Sequence, residues 1–208
     1  GGHIGPLSSF VLWDTMVQTL LDTVRDRKVA ADIHVLFAGG IHDTRSAAMV
    51  AALTAPLGAL GVKVGILMGS AYLVTREIVS SGSIVSAFQQ EVLACRDTVS
   101  LETGTGHASR CAKTPFAEEF LALKKKLRVE GKNADEIRDA LEDLNLGRLR
   151  LASKALERDG QSGRLQTVPP ERQHRDGMYM VGQVATLVGT LYTVADLHQA
   201  TSGAVDDY

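Results

Sequence analysis

The order of apolar and polar residues predicts alternating helices and strands over the first 80 positions. Apolar residues recur at three- and four-residue steps over residues 9–27, which indicates an amphipathic helix. Two short runs that are apolar on both faces, at 33–38 and 62–68, are typical of buried strands in a parallel sheet. Residues 43–57 and 71–79 predict a helix after each strand. The pattern therefore indicates an α/β fold with a parallel sheet.

The second half of the chain predicts helices and no further strand. Residues 116–156 are charged and follow a helical apolar period, and Asn133 precedes an acid by three residues, as in a capping box. Glycine and proline over 159–175 predict a loop. Apolar residues over 177–190 predict a helix, and 193–200 a last short one. Because two parallel strands make no stable sheet alone, we expect the chain to be a fragment of a larger α/β protein.

Composition excludes several classes of protein. The chain has 208 residues and a net charge of -2, which excludes a strongly basic nucleic-acid binder or a polybasic membrane binder. No apolar stretch approaches the ~18 residues of a membrane span, and the first residues do not resemble a signal peptide. Cys95 and Cys111 are too few for a disulfide framework and are not at metal-ligand spacing. These features favour a reducing, cytoplasmic setting, without a membrane, nucleic acid or bound metal.

Glycines end both predicted strands, at Gly39-Gly40 and at Gly69-Ser70. Backbone N–H groups at a helix N-terminus attract anions, and glycine allows close approach. Two such turns after successive parallel strands predict a phosphate site, like the one after the last strands of a (β/α)₈ barrel. The alternative is that the glycines serve only the packing of ordinary strand-to-helix turns.

His3 follows two glycines and precedes the first helix, which in a barrel is a loop at the mouth of the active site. A histidine there is a candidate general acid or base near neutral pH. The alternative is a loop histidine that only bonds the backbone.

Three segments together resemble the nitronate monooxygenase (2-nitropropane dioxygenase) family of FMN-dependent (β/α)₈ barrels. They are Gly1-Gly2-His3-Ile4-Gly5, then residues 37–41, then residues 67–73, in the family's order and spacing. Residues 97–110 and Gly182-Gln183 are similar to later family segments. The resemblance implies that His3 is the catalytic acid or base. It implies that FMN is held by Gly1, Gly2, Gly39, Gly40, Leu67, Met68, Gly69, Ser70 and Gln183.

The resemblance also implies a domain plan. Residues 1–112 would form the C-terminal half of an FMN-binding (β/α)₈ TIM barrel, and residues 113–208 a helical extension packed on it. A half-barrel has open sheet edges, so we expect weak FMN binding and low activity from this chain alone.

The implied activity is FMN-dependent oxidation of the nitronate monooxygenase type, and three alternatives stay open. One is a related barrel of polyketide or polyunsaturated-fatty-acid synthases, which acts as an enoyl reductase on carrier-bound acyl chains. A second is a non-catalytic scaffolding segment of such a synthase. A third is a barrel for another phosphate ligand. In the synthase setting, the basic residues around Lys124-Lys125-Lys126 would meet an acidic acyl carrier protein.

Overall fold

The computed structural model describes residues 2–24 and 27–203. Contacts divide the chain into two compact units. The parallel unit comprises Pro6–Tyr72 and Tyr192–Tyr208, and the antiparallel unit comprises Gly1–Gly5 and Leu73–Leu191. This division falls at different points from the expected boundary at residue 112, because the first strand of the chain pairs with residues just before that boundary.

The strands, in chain order, are β1 (Gly2–Ile4), β2 (His34–Ala38), β3 (Lys63–Leu67), β4 (Thr98–Gly104), β5 (His107–Ala112), β6 (Leu156–Arg158) and β7 (Leu165–Thr167). The α-helices are α1 (Ser9–Thr23), α2 (Arg27–Ala30), α3 (Thr44–Leu60), α4 (Arg76–Ser80), α5 (Ser86–Ala94), α6 (Pro115–Val129), α7 (Ala134–Asn145), α8 (Arg148–Lys154), α9 (Pro170–Asp176) and α10 (Val194–Ser202). Short 3-10 helices span Ser70–Val74 and Gln183–Thr186.

The parallel unit confirms the predicted alternation of helices and strands. β2 and β3 pair in parallel, with α3 as the connection between them. Trp13 and Val17 of α1 pack with Phe37 of β2 and Leu57 of α3 in one buried cluster. The Trp13 indole also donates to the Ala38 carbonyl over 2.9 Å, which fixes α1 against the end of β2.

One face of this sheet is apolar and open. Side chains alternate along a strand, so Leu36 and Leu67 lie on the face opposite to Phe37 and Ile66. Leu36 is 61% exposed and Leu67 is 55% exposed. Parallel sheets are ordinarily covered on both faces, and in a closed barrel one face is turned inward. The open face is therefore what a partial barrel leaves uncovered.

The antiparallel unit corrects the prediction that no strand follows residue 68. Its main sheet has the order β1-β5-β4, with β5 antiparallel to both neighbours. β4 was missed because its residues alternate between buried Leu101 and Thr103 and exposed Ser100 and Glu102, instead of forming an apolar run. The hairpin β6–β7 and helix α9 likewise occupy much of the predicted loop at 159–175.

The predicted helix over 177–190 is also wrong. Only Gln183–Thr186 form a 3-10 helix, and the chain is extended at Gly177 and Gly182. A Cβ on Gly177 would lie 2.5 Å from the Gln173 carbonyl oxygen, so a close backbone approach requires glycine there. The later helices are confirmed: Asn133 and Glu136 form the capping box of α7, and α10 covers the predicted residues 193–200 except the capping Thr193.

The core of the antiparallel unit lies between its sheet and α6 and α7. Phe116 and Phe120 of α6 are fully buried against Leu101 of β4 and Leu141 of α7. The Tyr179 hydroxyl, equally buried, donates to the Gln173 carbonyl over 3.0 Å, so its one polar atom is satisfied.

Candidate functional site

The two glycine turns leave the sheet side by side. Ala38, the last residue of β2, is in register with Leu67, the last residue of β3. Gly39-Gly40 and Met68-Gly69 follow directly, and the carboxyl ends of parallel strands share one edge of a sheet. The structure thus brings Gly39, Gly40, Leu67, Met68, Gly69 and Ser70 together at the edge where α/β proteins bind ligands.

Backbone donors are concentrated at this edge. Within the described part of the chain, the N–H groups of Gly40, Ile41 and Gly69 have no hydrogen-bond partner. Gly40 has a φ of +81°, a left-handed conformation that glycine adopts readily. A Cβ on Gly40 or Gly69 would have no neighbour within 4 Å, so open space lies beside both backbones. Exposed N–H groups beside open space suit an anion.

The first turn of α1 lies against the same place. The Ser9 side chain lies directly beside Gly39. Gly39 has a φ of +102°, a left-handed backbone conformation that favours glycine at this position. Ser8 caps this fifteen-residue helix. The positive end of the α1 dipole thus adjoins the first glycine turn, which favours an anion there.

The carboxylate of Asp43 would disfavour an anion near the start of α3. Asp43 caps α3, accepting from the Ser46 amide over 2.8 Å and the Ser46 hydroxyl over 2.6 Å. Burial raises the pKa of Asp43, but the Ser46 hydrogen bonds and the nearby His42 and Arg45 outweigh it and hold the pKa below its ordinary value. Asp43 is therefore ionised at neutral pH and satisfies the N-terminus of α3. The donors left for an anion are those of the turns and of α1.

Because Asp43 caps α3, we expect the stability difference between the wild type and Asp43→Ala to depend on pH. Asp43→Ala should lower the free energy of unfolding by about 1 kcal/mol at pH 7, whereas Asp43→Asn, which keeps an acceptor, should cost a few tenths. Because the folded-state pKa is depressed, the stabilisation is present above the unfolded pKa. It is lost as the pH falls from about 4 through the lower folded-state value. Urea unfolding between pH 7 and pH 3 measures this; a wild-type advantage over Asp43→Ala that persists at the lowest pH contradicts it.

His3 is not in a loop, as the sequence predicted, but in β1. It is in register with Ser109 of β5, and its side chain is exposed. The backbone of residues 2–4 is extended because β5 offers it an antiparallel partner, which the local sequence does not show. His3 and Gly2 belong to the antiparallel unit, whereas the glycine turns belong to the parallel unit.

The remaining predicted site residues are Gln183 and Gly1. Gln183 is exposed at the start of the 3-10 helix Gln183–Thr186, in the antiparallel unit, and not within a long helix. Gly1 lies outside the described residues. The ring end of the predicted flavin site is therefore supported by the family resemblance alone. The two glycine turns that are predicted to bind its phosphate lie together at one edge of the sheet.

The sequence did not reveal how α10 is attached to the second glycine turn. The Tyr72 hydroxyl and His198 Nε2 are 2.6 Å apart, and the Tyr192 hydroxyl donates to the Ala71 carbonyl over 2.8 Å. Thr44, at the start of α3, donates to the Ala200 carbonyl over 2.7 Å. These contacts join residues more than 100 positions apart, and no local pattern reports them. They attach α10 to the turn after β3 and to the start of α3.

A pocket of about 770 Å³ lies within the parallel unit, between α3, β3 and α10. Its lining is mainly apolar, and of the predicted site residues only Met68 contributes to it. An apolar lining does not suit a phosphate, so this pocket is distinct from the edge that carries the donors.

The two cysteines are buried and free. Burial raises the pKa of the Cys111 thiol to about 12 and also raises that of Cys95. Neither is a thiolate at neutral pH, so neither is an activated nucleophile. Among the described helices, none is long and apolar enough to cross a membrane.

Comparison with known proteins supports the fold. No protein-family model matches the sequence, and no curated protein matches it significantly. FabK from Thermotoga maritima, a TIM-barrel enzyme, superposes on 100% of this chain with a TM-score of 0.65 and 23% identity. A point mutant of that FabK superposes on 99% with a TM-score of 0.60 and 22% identity. The chain has the fold of a partial α/β barrel. It spans about half the length of these structures, 51% and 50% of their chains.

Proposed function

We propose that this chain is the phosphate-binding part of an FMN-dependent oxidoreductase of the nitronate monooxygenase (2-nitropropane dioxygenase) superfamily. The observation that carries the proposal is the pair of adjacent glycine turns at the carboxyl edge of β2 and β3, whose N–H groups at Gly40, Ile41 and Gly69 have no partner among the described residues. The partial barrel shared with FabK, an enoyl reductase of an FMN-binding barrel family, supports the same assignment.

The residues present fit the phosphate end of FMN. The N–H groups at Gly40, Ile41 and Gly69 would donate to phosphate oxygens, and the Ser70 hydroxyl adds a donor type that suits the same group. Gly39, Leu67 and Met68 shape the strand ends that present these donors. The α1 dipole would further stabilise the negative charge. When bound, FMN would supply two-electron redox chemistry at its ring.

His3 is proposed as the acid or base that moves a proton to or from the substrate. Its side chain is exposed on β1, so the imidazole is available to a ligand. Histidine is suited to this task because its ordinary pKa lies near neutrality. Gly1, Gly2 and Gln183 are proposed at the ring end on the family resemblance alone.

Of the three candidate functions, reduction of a carrier-bound enoyl chain has the most specific support. FabK is an enoyl-ACP reductase, and the match covers this whole chain. Oxidation of a nitronate is the second candidate, carried by the sequence resemblance at residues 1–5, 37–41 and 67–73. A non-catalytic scaffold is the third. We place the activity in the cytoplasm, in keeping with the free thiols.

An acyl carrier protein is the proposed partner for the enoyl reductase, and the basic residues of α6 are the proposed contact. Lys124 already pairs with Glu102 over 3.0 Å, and Lys126 lies 3.8 Å from Glu130. Lys125 and Arg128 are exposed on the same helix. Charge reversal at Lys125 and Arg128 would therefore test carrier binding more cleanly than at Lys124, whose ion pair is part of the fold.

One experiment separates the candidates. The chain is loaded with FMN, reduced with dithionite without oxygen, and mixed with a crotonyl thioester. Reappearance of the visible absorbance of oxidised flavin supports the enoyl reductase. Oxygen consumption with a nitronate, and no oxidation by the thioester, supports the monooxygenase. A folded chain that binds no FMN supports a scaffold.

A further inference from the structure

The imidazole of His42 contacts the backbone of the first glycine turn. His42 Nδ1 lies 2.8 Å from the carbonyl oxygen of Gly40, two residues earlier. A carbonyl oxygen only accepts, so Nδ1 carries the proton and donates. The side chain is therefore half-buried against the turn and not extended into solvent.

This hydrogen bond fixes the orientation of one peptide group. In a trans peptide, the carbonyl of Gly40 and the N–H of Ile41 lie in one plane and point in opposite directions. While His42 holds the Gly40 oxygen, the Ile41 N–H points away from the imidazole. That N–H has no partner among the described residues. The His42 contact thus presents a free backbone donor in one direction.

The backbone of His42 is fixed by the start of α3, because its N–H donates to the Ser46 hydroxyl over 2.9 Å. His42 Nε2 lies 3.9 Å from a carboxylate oxygen of Asp43, beyond hydrogen-bond distance. The buried Ile41 side chain anchors the residue between the glycines and the imidazole. A glycine pair without these contacts would lose more conformational entropy when it closed on an anion.

We infer that His42 is a positioning residue for phosphate: by holding the Gly40 carbonyl, it preorders the Gly40–Ile41 peptide whose N–H binds a phosphate oxygen. The inference rests on the proposed phosphate site and deepens it. It implies that His42 strengthens the binding of any phosphate monoester at this edge, independently of what is attached to the phosphate.

Inorganic phosphate is the probe, because the proposed site would bind it with the glycine turns and α1 alone, without the residues at the ring end. Amide chemical shifts of Gly40, Ile41 and Gly69 are followed by NMR as phosphate is added to the full chain. His42→Asn places an amide donor where Nδ1 stands, whereas His42→Gln carries the same amide one methylene further out. We expect dissociation constants within about twofold of the wild type for His42→Asn, and about three- to tenfold higher for His42→Gln and His42→Ala, the range for one hydrogen bond.

The outcomes separate the inference from the proposed function. Phosphate shifts in the wild type with equal affinity in all variants would overturn the inference and leave the phosphate site standing. Equal losses in His42→Asn and His42→Gln would also overturn it, because the donor position would then be irrelevant. No shift of these amides in the wild type at any phosphate concentration would refute the phosphate site itself. Comparing the two amide variants keeps the test valid if His42→Ala does not fold.

Discussion

Replacing Gly69 with aspartate is expected to lower the affinity for FMN by about two orders of magnitude. A carboxylate at this position would stand beside the proposed phosphate in open space, since a Cβ there meets nothing within 4 Å. Two like charges about 5 Å apart at an effective dielectric constant of about 20 repel by ~3 kcal/mol, which corresponds to roughly a 100-fold loss. Flavin fluorescence titration measures the change.

Two control variants make the result specific. Gly69→Ala adds a Cβ without charge and should change FMN affinity by less than about threefold, because the space is open. Gly189→Asp adds the same charge to an equally open glycine of the antiparallel unit, and should bind FMN like the wild type. FMN affinity that is unchanged in Gly69→Asp would contradict the placement of the phosphate.

His3→Ala is expected to slow flavin reoxidation by an enoyl thioester by roughly 100-fold or more, the usual effect of removing a general acid. FMN affinity and the unfolding midpoint should stay unchanged, because the His3 side chain is exposed and its strand pairs through the backbone. Single-turnover absorbance traces with the reduced, FMN-loaded chain give the rate.

His107→Ala is the matched control for His3. His107 is also exposed, also lies in the antiparallel sheet, and has no proposed role. It should react at the wild-type rate. If His3→Ala reacts as fast as His107→Ala, His3 is not the acid, and the catalytic role must lie with another residue.

The glycine turns could be predicted because local sequence determines them. Two short, mainly apolar runs, at 33–38 and 62–68, are each followed directly by glycine, and this local pattern predicts β2, α3 and β3. Asp43 at the start of α3 and Asn133 at the start of α7 are short-range signals of the same kind, and the structure has both caps. Pairing of β2 with β3 then follows from their adjacency along the chain.

The antiparallel sheet could not be predicted by the same argument. β1 has three residues, and it is a strand only because β5, more than 100 positions later, supplies its partner. Polar residues interrupt the apolar ones in both β4 and β5, so a search for continuous apolar runs does not find these strands. At Gly177 the surrounding packing determines the backbone conformation, and local propensity does not.

The tertiary contacts around the candidate site could not be predicted from the sequence either. Sequence motifs predicted the two glycine turns, but not the contact of Ser9 with Gly39, nor the attachment of α10 through Tyr72 and His198. Both are tertiary contacts between distant segments. His42 was visible in sequence beside the turn, yet only its 2.8 Å contact with Gly40 indicates what its side chain does.

The most direct test of the central claim compares FMN with riboflavin, which lacks the phosphate. Both flavins are titrated into the chain while the amide shifts of Gly40, Ile41 and Gly69 are recorded. We expect FMN to shift these amides and to bind at least tenfold more tightly than riboflavin, because we propose that the turns and α1 hold the phosphate. Equal affinities for the two flavins, or FMN binding that leaves these amides unmoved, would contradict it.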